Sequence, residues 1–109
     1  RVGYGTAMEM AITGDPITAE EAADHGLVSR LTEPGGALGE ALALAERIAR
    51  NAPLAVAASK QLIRATQGAT EEELWKMQRP HMATVWKSDD AKEGPRAFAE
   101  KRPPEWTGT

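Results

Sequence analysis

Apolar residues along this chain recur mainly at helical spacing, and glycine, proline and capping residues cut that pattern into short pieces. Segment 5–12 is rich in helix formers and stops at Gly14. Thr18-Ala19-Glu20-Glu21 has the form of a capping box and predicts a short helix through about Asp24, with Gly26 suited to the left-handed position just past its end. Leu27–Leu31 alternates loosely and predicts a short extended segment at best. From Ala37 the pattern is strongly helical: Leu38, Ala41, Leu42, Ala45, Ile48 and Ala49 form one stripe. Asn51-Ala52-Pro53 starts the next helix, with an apolar seam of Leu54, Ala58, Leu62 and Ala65. Thr70-Glu71-Glu72-Glu73 is a second capping box, and Leu74, Met77, His81 and Val85 share a face behind it. Pro80 predicts a kink or a restart in that helix. Ser88 is placed to cap a last helix containing Ala91, Ala97 and Phe98, with a break at Gly94-Pro95.

The sum is a mainly α chain of five or six helices with one short extended piece. Its stripes are alanine-heavy and wide for 109 residues, so part of them is expected to bury against something outside this chain. The chain also opens on Arg1 rather than methionine, which reads as a piece of something larger.

Composition narrows the classes. Apolar residues make up 41% and charged residues 27%, which fits neither a disordered chain nor a membrane span. Thirteen basic against sixteen acidic residues give a net charge of −3, which argues against nucleic acid as the main partner. Without cysteine there is no disulfide framework and no thiolate zinc site, and a cytoplasmic address fits.

Candidate chemistry is sparse. Gly3-Tyr4-Gly5 lacks the third glycine of a dinucleotide fingerprint, having Met8 there instead. Asp24 and His25 are sequence neighbours and point apart on a helix, and His25 falls in a last turn where the dipole favours imidazolium. His81 lies beside an apolar stripe and reads as a packed residue. Glu20-Glu21, Glu71–Glu73 and Asp89-Asp90 open helices, a structural role that accounts for them. The C-terminal stretch stands out. Lys92, Arg96, Lys101 and Arg102 against Glu93 and Glu100 make a locally basic patch, and Phe98 stands three residues before Lys101. On a helix that spacing puts ring and ammonium on one face, where they are suited either to a base and a phosphate or to a core aromatic under a solvated basic surface.

Several segments in order resemble the C-terminal part of the crotonase (enoyl-CoA hydratase/isomerase) superfamily. They are Ala7-Met8-Glu9-Met10, Thr13-Gly14-Asp15-Pro16-Ile17-Thr18-Ala19-Glu20-Glu21-Ala22, Gly26-Leu27-Val28, Ala45-Glu46-Arg47-Ile48-Ala49 with Asn51-Ala52-Pro53, Lys60, Asp89-Asp90-Ala91-Lys92-Glu93-Gly94, and Ala97-Phe98-Ala99-Glu100-Lys101-Arg102. The resemblance implies an end-of-core region over 1–36 and a C-terminal helical oligomerisation and coenzyme A contact region over 37–109. It also implies a spiral of ββα units, absent from this chain, that holds the oxyanion hole and the catalytic glutamates. No catalytic residue carries over to these positions, and the chain alone is expected to be inactive.

Two positions do carry over. Phe98 and Lys101 match the family's Phe-x-x-Lys, which is similar to a site contacting the adenine and 3′-phosphate of coenzyme A. The implied function is hydration of a trans-2-enoyl-CoA in fatty-acid metabolism. The alternative is a non-catalytic helical oligomerisation module. The implied partners are an acyl-CoA substrate, the missing N-terminal core and a homotrimer or dimer of trimers, with no nucleic acid or membrane. No cofactor or metal is implied beyond the coenzyme A carried by the substrate. Pro80 and Pro95 depart from relatives that run helix through both points; Pro95 is tolerable as the first residue of a restarted helix.

Overall fold

Thr18 and Thr70 open helices by the same device. In the computed structural model, which describes residues 2–109, Thr18 Oγ1 accepts from the Glu21 N–H at 3.1 Å while the Glu21 carboxylate accepts from the Thr18 N–H at 2.8 Å. Thr70 and Glu73 repeat the exchange at 3.3 and 2.7 Å. In both boxes the backbone N–H, then the hydroxyl, holds the glutamate below the usual carboxylate range.

Six helices result: α1 (Tyr4–Thr13), α2 (Ala19–Asp24), α3 (Ala37–Ala49), α4 (Pro53–Ala65), α5 (Glu71–Lys87) and α6 (Asp90–Glu100). Among the described residues there is no strand. The chain divides into two compact units, one ending at Ala43 and the other covering Leu44–Thr109.

In the first unit α1 stops at Gly14, whose φ of 70° suits a residue without Cβ. Leu27–Ser29 form a bend and Arg30 and Leu31 belong to no regular element, so the extended segment expected over Leu27–Leu31 does not form as a strand. The Leu27 and Val28 N–H groups both donate to Ala22 O, at 2.8 and 3.4 Å, so they are used in closing α2.

In the second unit α4 packs against α5 and α5 against α6. Leu54, Ala58, Leu62 and Ala65 are half-buried, as are Leu74, His81 and Val85, so the seam of α4 forms as the periodicity predicts and that of α5 forms except at Met77, which is exposed. Pro80 does not restart its helix: α5 is continuous over seventeen residues. Proline removes one backbone bond, to Lys76 O, at a cost of about 3 kcal/mol, and packing against two neighbouring helices offsets it. Likewise α6 runs unbroken through Gly94-Pro95, correcting both the expected break and Pro95 as a first residue. Its two ends are tied by side chains described below.

The core is thin. Ala97 is the one buried apolar residue among those described, and the stripe of α3 stays open, with Leu38 71% exposed. Among the described residues no helix is long and apolar enough to cross a membrane.

Candidate functional site

The last helix is anchored from both directions. At its start, Ser88 Oγ donates to Val85 O and accepts from the Ala91 N–H at 3.1 Å, as a cap should. Asp90 is not the exposed first-turn carboxylate that its neighbours suggested. It is 4% exposed and accepts from the Thr107 N–H at 2.7 Å, Thr107 Oγ1 at 3.2 Å and the Gly108 N–H at 3.1 Å. The Asp89 N–H donates to Thr109 O at 2.6 Å. Trp106 Nε1 donates to Arg50 O at 2.8 Å, and its ring lies over Gly94. Residues 103–109 are therefore a strap laid along α6. Sequence reasoning missed it. Pro103-Pro104 and Gly108 mark it as non-helical, but nothing local points to Asp90 as its anchor.

The other end of α6 is closed by Arg102. Its guanidinium forks onto Glu93, with Nη1 to Oε1 at 2.5 Å and Nη2 to Oε2 at 3.0 Å, and its Nε donates to Glu100 Oε2 at 2.6 Å. Glu93 Oε1 also accepts from the Glu105 N–H at 2.9 Å. Arg102 first, and that N–H second, hold Glu93 down at about 2. Arg96 pairs with Glu100 and Lys92 with Asp89. Of the four cations in the basic patch, Lys101 is thus the one without an ion pair among the described residues.

Phe98 and Lys101 are brought to the end of α6, with one correction. The helix ends at Glu100, and Lys101 has φ 55° and ψ 35°, the left-handed conformation. Helical spacing therefore does not set its direction. It is the one described residue other than glycine with positive φ, a conformation disfavoured by any Cβ. Its N–H donates to Phe98 O at 3.2 Å, and the Arg102 N–H donates to Ala97 O at 3.1 Å. Phe98 is 86% exposed, so none of the described residues covers it as a core aromatic. An exposed ring one turn from an unpaired ammonium can stack on a base and bond a phosphate.

A groove of about 330 Å³ lies beside α6, lined by Asp89, Asp90, Lys92, Glu93, Arg96, Glu105 and Thr107. It does not reach Phe98 or Lys101, and its cations are already paired. His25 is exposed at the end of α2 and His81 is half-buried on α5; neither belongs to this site.

The family model for enoyl-CoA hydratase/isomerase matches residues 1–109. The chain belongs to that family. It is 46% identical over 104 residues to an enoyl-CoA hydratase of Mycobacterium tuberculosis, covering 95% of this chain and 39% of that protein. To a carnitinyl-CoA dehydratase of Salmonella arizonae it is 45% identical over 104 residues, 92% of this chain and 40% of that one. Among solved structures, an enoyl-CoA hydratase from Mycobacterium marinum superposes with a TM-score of 0.94 at 50% identity, covering all of this chain and 43% of the other. The chain therefore spans about two fifths of the length of the curated relatives it matches. It corresponds to the helical C-terminal part of the crotonase fold.

Proposed function

We propose that these residues form the helical C-terminal part of an enzyme that hydrates trans-2-enoyl-CoA thioesters, in which Phe98 and Lys101 hold the nucleotide end of coenzyme A. The observation that carries the reading is Lys101: in a chain of this family, an ammonium without an ion pair among the described residues sits in a disfavoured backbone conformation at the end of α6. The Phe98 ring stacks on the adenine and the Lys101 ammonium bonds the 3′-phosphate. These contacts bind and orient the substrate, while the polarising amides and the proton-moving glutamates belong to the ββα core. The same reading makes the exposed apolar residues, Leu42 and Trp86 among them, assembly surfaces of a homotrimer or dimer of trimers.

The test is an assay of the full-length protein with crotonyl-CoA and carnitinyl-CoA side by side. Hydration of crotonyl-CoA, with a KM raised by Lys101→Ala, is the expected result. No turnover of either thioester would refute the enzymatic reading and favour an association module. Light scattering that shows a monomer at micromolar concentration would remove the assembly role.

A further inference from the structure

The bonding pattern that ends α6 is also made elsewhere in this chain, with glycine. At the end of α2 the Leu27 N–H donates to Ala22 O and the Gly26 N–H to Ala23 O, at 2.8 and 2.9 Å, with Gly26 at φ 72°. At the end of α6, Arg102 and Lys101 make the corresponding bonds to Ala97 O and Phe98 O, and Lys101 takes the place of glycine. Turn geometry alone favours glycine there, so the lysine conformation is held by its surroundings.

Those surroundings converge on one neighbour. Arg102 ties the end of α6 back to Glu93, one residue before Gly94, and to Glu100, the last helical residue. It also occupies two carboxylates that would otherwise compete for the Lys101 ammonium.

Resting on the reading of Lys101 as a coenzyme A contact, we propose that Arg102 is a positioning residue. Its fork onto Glu93 and its bond to Glu100 hold Lys101, just past the final turn of α6, in the left-handed conformation and keep its ammonium available for a phosphate. Arginine is needed because lysine, a point cation, cannot engage both oxygens of Glu93 in parallel and Glu100 as well.

The experiment measures steady-state kinetics of the full-length protein with crotonyl-CoA and with its 3′-dephospho analogue. Arg102→Met is expected to raise KM for crotonyl-CoA on the order of tenfold while kcat changes less than about twofold. That increase should vanish with the dephospho analogue and add nothing in a Lys101→Ala background. Arg102→Lys should fall between Met and wild type, and Glu93→Gln, which keeps the side-chain shape, should move KM the same way if Arg102→Met fails to fold. If Lys101→Ala leaves KM unchanged, the site reading falls and this inference falls with it. If Lys101→Ala raises KM but Arg102→Met and Glu93→Gln do not, the inference alone is overturned. Additive effects in the double variant would likewise overturn it, since they mean that Arg102 acts independently of Lys101.

Discussion

Replacing Lys101 by glycine separates two properties that meet at one residue. The backbone there has φ 55° and ψ 35°, where a Cβ costs about 1–2 kcal/mol. Glycine removes that cost but adds roughly 0.5–1 kcal/mol of chain entropy lost on folding. Lys101 makes no ion pair among the described residues, so its loss forfeits none. The net expectation is a protein more stable by about 0.5–1 kcal/mol, or roughly 1–4 °C in Tm for a domain of about 150–250 residues. Lys101→Ala keeps the Cβ in the left-handed region and lacks the ammonium, so it should gain nothing in stability. Both variants should lose the phosphate contact, weakening acyl-CoA binding by about 1–3 kcal/mol, which is roughly 5- to 150-fold in Kd. The assay is paired: thermal unfolding of the full-length protein followed by circular dichroism, and equilibrium titration with an acyl-CoA. A glycine variant no more stable than the alanine variant would refute the assignment of backbone strain. Unchanged affinity in both would refute the phosphate contact instead.

Asp90→Ala should destabilise by about 2–4 kcal/mol, because it leaves the Thr107 and Gly108 N–H groups without their acceptor. It should also open residues 103–109 to proteolysis, read by mass spectrometry; a strap that stays protected would count against Asp90 as its anchor. Glu93 is depressed from its ordinary 4.5 to about 2, so its share of stability is present above about pH 5 and drains away as pH falls through 4.5 towards 2. A Glu93→Gln variant should accordingly show a flatter stability profile than wild type below pH 5, and parallel urea-midpoint curves would contradict this. At Gly94 an added Cβ would meet Trp106 Cη2 at 3.4 Å, an ordinary contact, so Gly94→Ala should be neutral or stabilise by up to about 1 kcal/mol. Gly94→Val should push the indole off its seat and shift its fluorescence; an unmoved emission band would show that Trp106 is not held there.

What the sequence determined by itself is whatever depends on neighbours within a turn. Both capping boxes, the glycine ends of α1 and α2, and the seams of α4 and α5 follow from spacings of three or four residues. The ordered family segments were legible in the same way, because they are strings of adjacent residues, and the proposed pair of Phe98 and Lys101 rests on the last of those strings. Tertiary structure decided the rest. Pro80 and Pro95 stay inside helices because an anchored or packed helix outweighs one missing backbone bond, and no local rule weighs that. The burial of Asp90 depends on residues seventeen and eighteen positions away, and the seat of Trp106 on one fifty-six away. Lys101 leaves the helix beside Arg102, whose pair with Glu93 spans nine positions. Contacts of that length require the chain to fold back on itself, so periodicity along the chain leaves them unspecified.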